Sequence, residues 1–253
     1  MTKQMSLNTL WDSAISPARV FHINDYAHLP EAARRYLEHA IAPGTQLASA
    51  VRLKMHGEIK LKRWIPFKAE QVICWDHGLI WSATAWMNDF LPIVGSDRII
   101  DGIGAMQWKI LGLFPVMTAS GSDITRSAIG RLQAESVCLP SVFCSDGVSW
   151  TGPDSSHVDA SLQSSFVVQG KSAKLDFTLD QTGRLKTFKL PRWSSPDGAE
   201  FRYVDFGGIL EEESTFSGYT IPTRLRIGWY FGTERFESEG EFFHATIDNA
   251  IYR

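Results

Sequence analysis

Arg131 and Glu135 combine reactive types with a spacing that would put them to use, four apart in the stretch Ser122 to Leu139, SDITRSAIGRLQAESVCL. At about 100° per residue this stretch predicts a helix, on which Ile124, Ala128 and Leu132 share a face with Arg131 and Glu135. Arg126, Gln133 and Asp123 point the other way. On an exposed helix such a pair is better with the acid nearer the N-terminus, and the helix dipole disfavours an early Arg and a late Glu. The reversed order argues against surface decoration. Buried, each charge costs several kcal/mol unless paired and hydrogen-bonded. Two chemistries remain open. One is an ion pair that ties the helix to a sheet. The other is the polar end of an apolar cavity, where Arg131 binds an anionic head group or stabilises developing negative charge. There Glu135, its pKa raised by burial, is the general acid or base.

Other catalytic patterns are absent. There is no GxxxxGK[ST], no GxSxG and no HExxH, and Gly102-Ile103-Gly104 lacks the third glycine of a dinucleotide loop. The seven His are dispersed without ligand spacing, so neither a metal nor a cofactor is expected. His56 and His157 fall on strand patterns with no obvious partner. Asp97 and Asp101 lie beside glycines and read as turn or edge residues, and Glu211-Glu212-Glu213 as a solvated edge. Trp81, Trp108, Trp150 and Trp229 sit in strand patterns, where core packing is the first reading and an aromatic ligand wall the second.

The elements that position these residues follow from periodicity. A helix is predicted over Pro30 to Ile41, stopped by Pro43-Gly44. From Ala50 the pattern changes to period two, with Val51, Leu53 and Met55 alternating with Arg52, Lys54 and His56. Short strands joined by turns then run through most of the chain, among them Ile99–Lys109 and His157–Gln169, with the Arg131 helix stopped near Pro140. The expected class is α+β: a large, curved antiparallel sheet, an incomplete barrel, with one or two helices on its concave face. Residues 1–28 form an N-terminal arm and residues 29–253 a single half-barrel domain. Of the 253 residues 44% are hydrophobic and 21% charged, the balance of a globular protein, and a net charge of −3 without a basic run disfavours nucleic acid. No secretory signal and no apolar run near the roughly 18 residues of a membrane span is present. Three cysteines without CxxC spacing suit a reducing compartment, so a cytoplasmic location is expected. No pattern specifies an oligomeric state.

Four segments carry a resemblance: LPEAARRYLEHAIAPG, VRLKMHGEIKLKRWIPFKAEQV, DGIGAMQWKILGLFPVMTASGSDITRSAIGRLQAESVCLPSVF and GYTIPTRLRIGWYFG. Together they resemble an uncharacterised bacterial family of unknown function, from about Leu29 onward, most specifically in the block from Arg131 to Pro140 and the strand before it. The order of elements is similar to the lipoprotein-carrier (Lol-type) fold, an incomplete barrel lidded by helices. Three functions stay open. The first is binding of a hydrophobic or lipid-like small molecule in a half-barrel cavity, with Arg131 and Glu135 at its polar end and Trp81, Trp108, Trp150 and Trp229 as walls. The second is a cofactor-independent isomerase, cyclase or hydrolase using Glu135 and Arg131. The third is a structural or partner-binding role. An open pocket beside Arg131 and Glu135 favours the first two, a sealed ion pair the third.

Overall fold

The computed structural model describes residues 5–15, 18–88, 90–152 and 160–253. Thirteen strands form one open antiparallel sheet. They are β1 (Ala50–Lys60), β2 (Trp64–Cys74), β3 (Gly78–Met87), β4 (Leu91–Ile100), β5 (Ile103–Ile110), β6 (Phe114–Ser120), β7 (Ser149–Thr151), β8 (Ala160–Val168), β9 (Lys171–Leu179), β10 (Leu185–Ser194), β11 (Arg202–Phe216), β12 (Tyr219–Trp229) and β13 (Glu241–Tyr252). The order across the sheet is β6-β5-β4-β3-β2-β1-β13-β12-β11-β10-β9-β8-β7. Two meanders, β1–β6 and β7–β13, are thus joined side by side through β1 and β13, and the chain between β6 and β7 has to travel from one edge of the sheet to the other.

Side-chain alternation sets which face is concave. Val51, Leu53 and Met55 of β1, Ile65, Phe67 and Ile73 of β2, and Leu79, Trp81, Ala83 and Ala85 of β3 are buried in the main core. The other face of these strands is covered too. Ala50, Val72, Cys74 and Ile80 pack with Leu10 and Ala14 from the N-terminal segment, where α1 (Leu7–Asp12) lies on the convex side. Covering both faces explains why β2 and β3 contain unbroken apolar runs instead of alternating ones. On the concave side α2 (Glu31–Ala40) buries Ala32, Ala33, Tyr36, Leu37 and Ala40.

The crossing is made by α3 (Ser122–Ala134), followed by 3-10 turns at Glu135–Cys138 and Pro140–Cys144. One flank of α3 meets β4, β5 and β6, and the other meets β9 and β10. Two glycines make the close approach possible. A side chain on Gly104 of β5 would lie 2.7 Å from the Thr125 Cα, and one on Gly130 would lie 2.8 Å from the Arg192 Cγ. The Gly104 N–H also donates to the Thr125 Oγ1 at 3.0 Å. Because α3 is flanked on both sides, Gln133, expected at the surface, is buried and its amide points at the carbonyls of Lys171 and Ser172 at 3.4 Å.

The curved antiparallel sheet with helices on its concave face is as expected. Two strand assignments change. Ile99–Lys109 is not one strand, because Asp101 and Gly102, both at positive φ, turn the chain between β4 and β5. β6 was not expected, since its turn is the apolar Leu111-Gly112-Leu113 and Pro115 interrupts its pattern. His157 lies outside the described residues, while His56 does have a partner, Asp248, at 2.9 Å. No helix among the described residues is long and apolar enough to cross a membrane.

Tyr219 fastens β12 to the segment before β1. Its buried hydroxyl accepts from the Ala48 N–H and donates to the Gln46 carbonyl, each at 2.8 Å, and its ring stacks on Tyr252 at 4.1 Å. Tyr219→Phe leaves the Ala48 N–H buried without its acceptor, so urea unfolding is expected to show a loss of about 1–3 kcal/mol.

Candidate functional site

The inner face of α3 carries Arg131 to the sheet, where two carboxylates meet it. Its Nε donates to the Glu135 Oε1 at 2.6 Å and its Nη1 to the Asp97 Oδ2 at 3.1 Å. Asp97 comes from β4, and Glu135 opens the 3-10 turn that ends the helix. The remaining carboxylate oxygens are occupied as well. The Trp108 Nε1 of β5 donates to the Asp97 Oδ1 at 2.9 Å, and the buried amide of Gln71 on β2 donates to the Glu135 Oε2. Trp81 of β3 places its ring 5.0 Å from the guanidinium, a cation–π contact. The Arg131, Asp97 and Glu135 side chains are only 17%, 19% and 22% exposed.

The electrostatics are those of a desolvated cluster. Burial alone would depress Arg131, but the charges and hydrogen bonds of Glu135 and Asp97 outweigh it and hold the guanidinium above its ordinary value. Burial raises Asp97 above the usual carboxylate range, offset only in part by Arg131 and the Trp108 N–H. A second cation, Arg192 of β10, lies nearby. It donates from Nε to the Ser127 carbonyl at 3.1 Å and stands over the rings of Phe206 and Trp229 at 4.6 and 5.1 Å. Burial, with the charge of Arg131 beside it, pushes Arg192 down to about 9, so it stays charged at neutral pH.

The residues singled out in the sequence are therefore only partly brought together. Arg131, Glu135, Trp81 and Trp108 form one cluster, joined by Asp97, which reads in sequence as a turn residue. Trp229 belongs to the neighbouring aromatic group around Arg192, against Phe206 and Phe242. Trp150 is apart from both, packed on Tyr36, Phe143 and Phe177. Glu213, in the acidic run of β11, bonds His39 at 2.9 Å rather than standing free. Among the described residues no group of three or more His, Cys, Asp or Glu is disposed to hold a metal ion.

Open space lies on the other side of the same helix. A groove of about 540 Å³ runs between α3 and strands β9, β10 and β11. Its apolar lining includes Ile129, Ala173, Leu190 and Pro191, with Trp193 and Tyr203 at the side. All its charged lining residues, Arg126, Lys171 and Lys174, are cations, and among the described residues none of the three has a carboxylate within 4 Å. Arg126 is held in place: its guanidinium lies 3.9 Å from the Trp193 ring and 4.7 Å from the Tyr203 ring, and its Nη2 donates to the Tyr203 hydroxyl at 2.8 Å. Asp123 steadies Trp193 by accepting from its indole N–H at 2.8 Å. Sequence reasoning missed this groove. Its walls come from positions far apart in the chain, and Arg126 looks like any solvated helix residue.

A family model described as a family of unknown function, DUF6920, matches residues 27–252. No curated protein matches the sequence. Among solved structures, a putative outer membrane lipoprotein-sorting protein domain from Vibrio parahaemolyticus is similar over 81% of this chain and 86% of its own, at 8% identity and a TM-score of 0.44. A LolA superfamily protein from Nitrosomonas europaea is similar over 88% of this chain and 92% of its own, at 10% identity and a TM-score of 0.47.

Arg131→Met keeps much of the side-chain volume but strands Asp97 and Glu135 as buried carboxylates. The expected loss is about 3–5 kcal/mol at pH 7.5. Without the guanidinium, Asp97 titrates still higher in the folded state than in the unfolded chain, so the folded variant gains protons as the pH falls. The deficit relative to the unmodified protein should therefore shrink towards pH 5 in urea titrations. A deficit constant with pH would mean that the carboxylates are not the groups Arg131 neutralises.

Proposed function

The chain belongs to the DUF6920 family of unknown function, and from the geometry around α3 we propose that it is a binding module for a small amphipathic molecule. The ligand lies in the groove between α3 and β9–β11, its apolar part against Ile129, Ala173, Leu190 and Pro191. Its anionic head meets Arg126, Lys171 and Lys174. The observation that carries this reading is the pairing of an apolar floor with charges of one sign in a groove within the size range of small-molecule sites, about 300–1,000 Å³. Arg126 supports it further, since stacking on Trp193 and bonding to Tyr203 fix the guanidinium before any ligand arrives.

In this reading Arg131 and Glu135 are the tie that holds one wall of the groove in place. A general acid or base needs an oxygen facing its substrate, and both Glu135 oxygens face protein donors, Arg131 and Gln71. The setting we propose is a reducing one, because Cys74, Cys138 and Cys144 are all buried as free thiols.

Isothermal titration with dodecanoate and with dodecanol tests the proposal, since the two share a chain and differ in head-group charge. Saturable binding of dodecanoate is expected, with little for dodecanol, and Lys171→Glu/Lys174→Glu should weaken it about tenfold, or 1.4 kcal/mol. Both residues are exposed, so the variant should melt as the unmodified protein does. Binding that ignores both the head group and the substitution would sink the assignment.

A further inference from the structure

We infer that the end of the sheet formed by the β1–β2, β3–β4 and β5–β6 turns docks on an anionic lipid surface. Strand register puts these turns in a row. Lys60 pairs with Trp64, Met87 with Leu91 and Ile110 with Phe114. The cross-pairs Phe67 with Ala85 and Ile93 with Ile110 place all three turns at the same end. The Leu111 N–H, donating to the Pro92 carbonyl at 2.9 Å, ties the third turn onto β4. At about 4.8 Å per strand the row spans about 19 Å.

Each turn exposes large apolar side chains. Leu61 is 61% exposed, Phe90 77%, Leu113 72% and Phe114 63%, with Leu111, Val116 and Met117 about half exposed beside them. Isolated apolar residues on a surface need no explanation, but a contiguous cluster does. The backbone sharpens the point. Leu111 takes φ +54°, a left-handed conformation that a tight hairpin turn ordinarily gives to Asn, Asp or Gly. The chain accepts strain there and spends it on an apolar tip that packs against nothing in its own core.

Charge selects the occupant. Lys62 and Arg63 are exposed in the first turn, Lys60 flanks it, and Lys109 flanks the third. Among the described residues of the three turns there is no carboxylate, and Asp89 of the second turn lies outside the described residues. Apolar tips with cations clustered at the first turn and one beside the third suit the boundary between anionic headgroups and acyl chains, where long basic side chains reach back to the headgroups. A second copy fits less well, since pairing along the free edge of β6 would leave Phe90 and Leu61 uncovered, two and four strands away. This surface is separate from the groove beside α3, so the inference stands apart from the proposed ligand.

Co-sedimentation with vesicles tests it. The protein is expected to pellet with phosphatidylcholine vesicles containing about a third phosphatidylglycerol and to stay largely in solution with phosphatidylcholine alone. Leu113→Glu/Phe114→Glu should reduce the bound fraction about tenfold in apparent affinity. Lys62→Glu/Arg63→Glu should reduce it too, and should remove much of its sensitivity to salt. All four positions are exposed, and an unchanged melting temperature for each variant separates lost docking from lost folding. Absence of binding to anionic vesicles, or binding indifferent to both variants, overturns the inference. So does self-association in sedimentation velocity that Leu113→Glu/Phe114→Glu abolishes without lipid, which would assign the face to a second copy.

Discussion

An arginine does not shed its charge in a folded protein, so a helix that turns Arg131 towards a sheet needs a partner for it there, and Asp97 of β4 is that partner. The half-barrel is organised around that requirement. β6 and β7 are opposite edges of the sheet, and the chain between them has to cross it. α3 takes that route, and Arg131 pins it to β4 through Asp97 and to its own end through Glu135. Arg192, Trp81, Trp108 and Gln71 are arranged to make the crossing tolerable: rings over the cations, donors on the carboxylates. Such a cluster contributes less net stability than its contacts suggest, because desolvation offsets much of the attraction. What it supplies is position, since a helix displaced by one turn would part Arg131 from Asp97 and Glu135 from Gln71.

Position is what the groove requires. Its lining is shared between α3 and β9–β11, so its width is set by how α3 sits against those strands. The charges on the two sides of α3 are used differently. Inside, cations and carboxylates meet each other. Outside, Arg126, Lys171 and Lys174 meet no carboxylate among the described residues and remain available to a ligand.

Architecture was largely legible in the sequence because alternation such as Val51-Arg52-Leu53-Lys54-Met55 has only one economical reading, a half-buried strand. The anomaly at Arg131 and Glu135 was legible too, because reversed charge order on an apolar face is a local pattern. Asp97 was not. Its meeting with Arg131 spans 34 positions and depends on the register of β4, which no local pattern encodes. Gln133 looked exposed because periodicity assumes one buried face, whereas α3 is held between two arms of a sheet. β6 escaped for a different reason: an apolar turn and a proline erased both of the signals by which a hairpin is recognised. The groove is the extreme case, since Arg126, Lys171 and Tyr203 become neighbours only once the sheet has curved.

The seam between β1 and β13 has a bearing on how the molecule comes into being. Val51 pairs with Tyr252, a separation of about two hundred residues, whereas every other strand pair joins chain neighbours. On a ribosome, β1–β6 can assemble while later strands are still unmade, yet the inner edge of β1 stays without its partner until β13 follows the other twelve strands out. That edge, Ala50 to Lys60, is an open template until β13 arrives. Lys54 and His56, exposed on that strand, are residues of the kind that disfavour edge-to-edge pairing between chains before the sheet is whole.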